Sequence, residues 1–146
     1  MIQPMAPPYV PREARVETPA GATIGGAPPF LLIVEDHEPS LRMLTRVLAL
    51  AGFPCLAVKS AAEALALCDA HRPNVVLTDY SMPVIDGLTL ARWLRSRYQE
   101  LPVLLMTAND VDHPSIELAS RQRDVAEILT KPIDCKELTK FLFQYW

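Results

Sequence analysis

The stretch Asn74-Val75-Val76-Leu77-Thr78-Asp79-Tyr80-Ser81-Met82-Pro83 decides how this chain is read. It opens as an apolar run, and Asp79 stands at its exit. A carboxylate at the end of a buried strand is costly unless something pairs it. Three other runs offer partners. Leu31-Leu32-Ile33-Val34 leads into Glu35-Asp36, Val103-Leu104-Leu105-Met106 into Thr107, and Glu127-Ile128-Leu129-Thr130 into Lys131-Pro132. Three acids, a hydroxyl and an ammonium at the ends of four strands read as one polar pocket.

Helical patterns fill the intervals. Pro39 suits a first helical turn. Leu41, Leu44, Leu48 and Ala51 then recur at helical spacing, and Gly52 supplies a stop. Cys55-Leu56-Ala57-Val58 makes a second strand. Ser60-x-x-Glu63 is a capping box that opens a helix running to about residue 71. Asp86 is expected to cap a third helix over 88–98, with Gly87 making the turn. A fourth helix is expected over 114–123. Asp134-x-x-Glu137 opens a fifth that runs to the C-terminus.

Five strands alternating with five helices predict an α/β fold, a doubly wound five-stranded parallel sheet with helices on both faces. The unbroken apolar runs of strands one, three and four fit strands buried on both sides. Ligands of such sheets bind outside the carboxyl ends of the strands. Glu35, Asp36, Asp79, Thr107 and Lys131 are therefore expected to converge.

Residues 1–29 have a different character. They hold seven of the 14 prolines, together with Gly21, Gly25 and Gly26, and few large apolar side chains. Such a segment buries too little surface to offset its ordering entropy, so it reads as a flexible leader to a domain at 30–146. Pro4-x-x-Pro7 and Pro8-x-x-Pro11 are spaced as in a polyproline ligand, and a bare tail is the plainer alternative.

Composition narrows the function classes. With 146 residues, half of them hydrophobic, the chain can bury a real core. A net charge of -3 leaves no basic footprint for nucleic acid. No apolar run reaches the roughly 18 residues that span a bilayer, and the N-terminus lacks the pattern of a signal peptide. Cys55, Cys68 and Cys135 are odd in number and far apart, which points to a reducing cytoplasm. His37, His71 and His113 show no metal-ligand spacing.

The pocket itself suggests a chemistry. Within about 5 Å of one another, Glu35, Asp36 and Asp79 would repel by roughly 3 kcal/mol per pair at an effective dielectric near 20. A divalent cation relieves this, and a set of hard oxygens favours Mg²⁺, or Mn²⁺, over zinc. Lys131 suits a phosphoryl group, and Thr107 offers a hydroxyl donor. Asp79 is then the nucleophile of a phosphoryl transfer that forms an aspartyl phosphate. Taken singly, each residue has a plainer role: Asp79 as a turn or helix cap, Glu35-Asp36 as a capping pair before Pro39, Lys131 as a solvated lysine.

Taken in order, Glu35-Asp36, Asp79, Met82-Pro83, Asp86-Gly87, Thr107-Ala108 and Lys131-Pro132 closely resemble the receiver domain of two-component response regulators. The likeness is to the single-domain kind seen in the bacterial chemotaxis regulator, with its flavodoxin-like sheet, and it covers 30–146. The resemblance implies that Asp79 accepts phosphate from a histidine kinase or phosphotransfer protein. It implies Mg²⁺ held by Asp36, Asp79 and the Ser81 carbonyl, with Glu35 acting through metal-bound water. Thr107, the Ala108 amide and Lys131 would hold the phosphoryl oxygens, and the Lys131-Pro132 bond would be cis. Ser81 and Asn109 match positions that tune the life of the phosphate. No enzyme activity is implied beyond self-phosphorylation and autodephosphorylation at Asp79. The phosphate would draw Thr107 inward and reshape the face of helix four, strand five and helix five.

Three departures bear on that face. Ile128 stands where the family usually has an aromatic. Arg121-Gln122-Arg123-Asp124-Val125-Ala126 replaces the common Gly-Ala turn, and the polar stretch 109–114 suggests a late or mobile start to helix four. Helix five carries two apolar stripes, so some of Phe141, Phe143 and Trp146 is expected to be exposed as a surface for a downstream protein or a homodimer. With no output domain after Trp146, the expected modes are binding, phosphate shuttling or competition for kinase phosphate. The rivals are an interaction module independent of phosphorylation, and a phosphohydrolase. The latter lacks a second aspartate two residues after Asp79, where Ser81 stands.

Overall fold

A computed structural model describes residues 28–108 and 113–146. Residues 1–27 of the expected leader, and residues 109–112 of the stretch expected to delay helix four, lie outside the described residues. The chain alternates β1 (Leu31–Val34), α1 (Glu38–Leu50), β2 (Cys55–Val58), α2 (Ala61–Ala70), β3 (Val75–Asp79), α3 (Gly87–Arg97), β4 (Val103–Thr107), α4 (Pro114–Arg121), β5 (Glu127–Thr130) and α5 (Cys135–Tyr145). All four strand pairings are parallel, in the order β2-β1-β3-β4-β5. The order reverses between β1 and β3, and there the helices leave an open crevice at the carboxyl edge.

Side-chain alternation splits the core into two layers. Leu31, Ile33, Val75, Leu77, Leu104 and Met106 pack with Leu41, Leu44 and Leu48 of α1 and Leu138 and Leu142 of α5. Leu32, Val34, Val76, Val103 and Leu105 pack with α2, α3 and α4 on the other face. No helix of the described residues is long and apolar enough to cross a membrane.

Helix boundaries follow local chemistry. Ser60 caps α2, accepting from the Glu63 amide at 3.2 Å, and Glu63 reaches back to the Lys59 amide at 2.9 Å. The Glu35-Asp36 pair does not cap α1. His37 does, with Nδ1 facing the Ser40 amide at 3.4 Å and the Ser40 hydroxyl at 2.7 Å. Ala51 is the exposed C-cap of α1 rather than part of its stripe, and the chain turns at Gly52 with φ 97°. The Gly52 amide bonds Ala49 and the Phe53 amide bonds Leu48, a Schellman closure.

The same closure ends α4 two residues before the expected end. The Arg123 amide bonds Ser120, the Asp124 amide bonds Ala119, and Arg123 takes φ 61°, the position glycine usually fills. Asp124 is fastened to α3 by Arg92 at 3.5 Å and Arg95 at 3.7 Å. This is what stands in place of a Gly-Ala turn.

Candidate phosphoacceptor pocket

Strand register brings the pocket together. Val34 is level with Thr78, so Glu35 lies beside Asp79. Asp79 is level with Met106, which leaves Thr107 one step further out. Thr107 is level with Thr130, so Lys131 emerges next to it, and the Lys131 amide donates to the Thr107 carbonyl at 2.8 Å. Each chemical residue is thus the residue at, or just after, the end of a buried strand.

Glu35 and Asp79 are buried and Asp36 is exposed, yet one carboxylate oxygen from each lies within 4.8 Å of the other two. The Lys131 ammonium bridges the buried pair, 3.0 Å from Asp79 Oδ1 and 3.3 Å from Glu35 Oε2. The His37 amide donates to the other Glu35 oxygen at 3.1 Å. Three carboxylates thus face one ammonium, and the site keeps excess negative charge.

Burial pushes the Glu35 carboxyl above its ordinary range. The His37 amide and the Lys131 ammonium pull it back, while the Asp79 charge adds to the rise. Burial alone would lower Lys131, but its bonds and charge pairing with Asp79 and Glu35 outweigh that and hold it above its ordinary value. Lys131 is therefore a fixed cation.

Thr107 supplies the other polar atom. Its hydroxyl is buried and has no hydrogen-bond partner among the described residues. An orphaned buried hydroxyl is uncommon and costs about 1–3 kcal/mol. Ala108 follows it, exposed, where the chain turns out of β4. Ser81 is exposed two residues beyond Asp79. The Lys131-Pro132 peptide is cis.

Gly87 proves to be a different kind of glycine from the one expected. It is the first residue of α3 rather than a turn residue, and Asp86 caps the helix through the Thr89 amide at 2.7 Å. A Cβ on Gly87 would sit 2.0 Å from the Asp79 carbonyl oxygen. Only a residue without a side chain lets α3 pack this closely on the backbone that carries Asp79. The loop between them is tight as well. Val84 has φ 68°, and the Ile85 amide bonds the Pro83 carbonyl at 2.8 Å. That backbone conformation is strained for a β-branched residue.

The donor set fits a hard divalent cation. Its ligand atoms are carboxylate oxygens, the cluster carries more negative than positive charge, and one member opens to solvent. The cysteines take no part. Cys55 and Cys68 are buried, with thiols pushed up to about 12, and Cys135 is exposed and unpaired.

A doubly wound sheet with an acid–lysine pocket at its switch point defines the class of signalling domains used in two-component pathways. The chain belongs to the response regulator receiver domain family, whose model matches residues 31–143. It is 37% identical over 106 residues to the DNA-binding transcriptional regulator NtrC of Escherichia coli K12, covering 71% of this chain and 22% of that protein. It is 34% identical over 111 residues to the response regulator MprA of a Mycobacterium strain, covering 76% of this chain and 47% of the relative. The chain thus spans less than half the length of either. Among solved structures, the signal receiver domain of an HD domain-containing protein from Pseudomonas fluorescens Pf-5 aligns with a TM-score of 0.73 at 27% identity, over 80% of this chain and 93% of that one.

Proposed function

We propose that Asp79 takes a phosphoryl group from the phosphohistidine of a partner kinase or phosphotransfer protein. One observation carries this reading. The Asp79 carboxylate is buried 3.0 Å from the Lys131 ammonium, and one step beyond its register partner on β4 stands Thr107, whose buried hydroxyl has no partner among the described residues. The hydroxyl and the ammonium flank the place where phosphoryl oxygens would lie, and a phosphoryl group would satisfy Thr107.

In the transfer, an Asp79 oxygen forms the bond to phosphorus as the bond from phosphorus to the donor imidazole nitrogen breaks, and the imidazole leaves with that electron pair. Lys131 holds the carboxylate in place beforehand and meets the incoming negative charge afterwards. Gly87 lets α3 press on the Asp79 backbone, which keeps the nucleophile from drifting. Asp36, Asp79 and the Ser81 carbonyl would hold Mg²⁺, with Glu35 supporting it from within. When bound, the ion neutralises charge on the transferring group. Most of the catalysis is positioning, so the chain acts on itself alone, gaining and losing phosphate at Asp79.

The added charge would then draw Thr107 toward the phosphate, and β4 would carry that movement to α4, β5 and α5. A downstream protein or a second copy would read the altered face. Residues 30–146 form the receiver unit on this reading, with 1–29 as a leader. The unpaired cysteines fit a cytoplasmic setting.

The test is intact mass after incubation with Mg²⁺ and a small acyl phosphate, with Asp79→Asn alongside. A base-labile gain of one phosphate in the native chain and none in the variant supports the reading. No gain in a folded native chain overturns it.

A further inference from the structure

At the amino edge of the sheet, far from the pocket, three aromatic rings stack outward. Phe53, buried behind α1, lies 5.2 Å from the Phe143 ring and 4.9 Å from the Trp146 ring, the latter edge-on. Phe143 is 71% exposed and Trp146 36% exposed. Two large rings thus sit open on a third that anchors them. Nothing in the phosphoryl chemistry uses this surface.

The chain itself enters beside it. The Leu31 amide bonds the Pro54 carbonyl at 2.8 Å, so β1 begins against the residue that follows Phe53. The segment arriving there is the proline-rich leader, with Pro7-Pro8-Tyr9-Val10-Pro11 as its densest apolar stretch. Prolines favour the extended polyproline II form, which packs on exposed aromatic faces and loses little entropy in doing so. Pro11 lies seventeen residues before Pro28, and a random chain of that length has an r.m.s. span of roughly 23 Å. A tether of that reach holds the segment at an effective concentration near 1 mM, enough for a weak contact to form.

We infer that residues 7–11 of the chain's own leader dock on the Phe143–Trp146 surface above Phe53, covering the outer side of α5 by an intramolecular contact. The occupant is chosen by the point of tethering and by the match of proline to aromatic chemistry.

Two tryptic sites, Arg12 and Arg15, lie directly after the docking stretch, and cleavage there reports how often the leader is free. The full chain is digested briefly with trypsin beside Phe143→Ala and a Pro7→Ser, Pro8→Ser, Pro11→Ser variant, with circular dichroism confirming the fold. Both variants are expected to be cut roughly fivefold faster or more than the native chain. In a Trp93→Phe background, acrylamide is expected to quench Trp146 more strongly once the three prolines are replaced, a readout that stands even if Phe143→Ala fails to fold. Equal cleavage and equal quenching with and without the prolines overturn the inference. Protection that rises with protein concentration and survives loss of the prolines overturns it in favour of a second copy.

Discussion

At the carboxyl edge, Glu35 and Asp79 are buried and share Lys131, and Thr107 at the end of the next strand has a buried hydroxyl without a partner among the described residues. On the face made by α4, β5 and α5, Ile128 is half-buried and Thr130 lies open. The pocket is made of groups that are costly alone and tolerable together, and all but Lys131 are held by strands with neighbours on both sides. The face includes an eight-residue helix and an edge strand. On the reading proposed above, phosphate arriving in the first region would be felt in the second.

Changes that break the pocket should cost the most. Gly87→Ala forces a methyl into the Asp79 carbonyl and should destabilise the domain by about 3 kcal/mol or more in urea unfolding. It should also cut phosphorylation of whatever remains folded. Thr107→Val acts in the opposite direction. It replaces an unsatisfied hydroxyl by a methyl of the same shape, so it should stabilise by about 1–2 kcal/mol. A loss instead would mean that the hydroxyl has a partner and that the pocket is not poised.

The next effect depends on pH. The Glu35 carboxyl is held above its ordinary range, so the unfolded chain loses this proton before the folded one. Stability from this group is complete below the ordinary carboxyl range and is lost as pH rises through the raised value. In chelated buffer, Glu35→Gln should match the native chain in acid and become the more stable of the two toward neutral pH. Parallel curves would contradict this. The smallest change lies at the end of α4. Arg123→Gly puts glycine at φ 61° and should stabilise by a few tenths of a kcal/mol up to about 1.

Much of this was open to reading in the sequence. Strand ends are marked by where apolar runs stop, and parallel register then dictates that Glu35, Asp79, Thr107 and Lys131 meet. What stayed hidden depends on neighbours distant in the chain. A glycine that makes a turn and one that allows a close approach look alike, so Gly87 was legible as necessary but not as the contact of α3 with Asp79. Arg123 carries no glycine signal, so the true end of α4 could not be seen. Histidine is a weak cap in isolation, and neither His37 nor His113, which caps α4 through the Ser115 amide at 3.2 Å, announced itself. The exposed rings of α5 were expected from its two stripes, but Phe53 beneath them belongs to another element.

The link between pocket and face is the central claim, and Thr107 is its only proposed carrier. Methyl NMR of Ile128, before and after phosphorylation with a small acyl phosphate and Mg²⁺, measures it in the native chain and in Thr107→Val. Phosphorylation should shift the Ile128 methyl signals in the native chain and leave them nearly still in the variant, with intact mass showing phosphate on both. Equal shifts in the two proteins would show that the signal reaches β5 without the Thr107 hydroxyl, and would contradict the account.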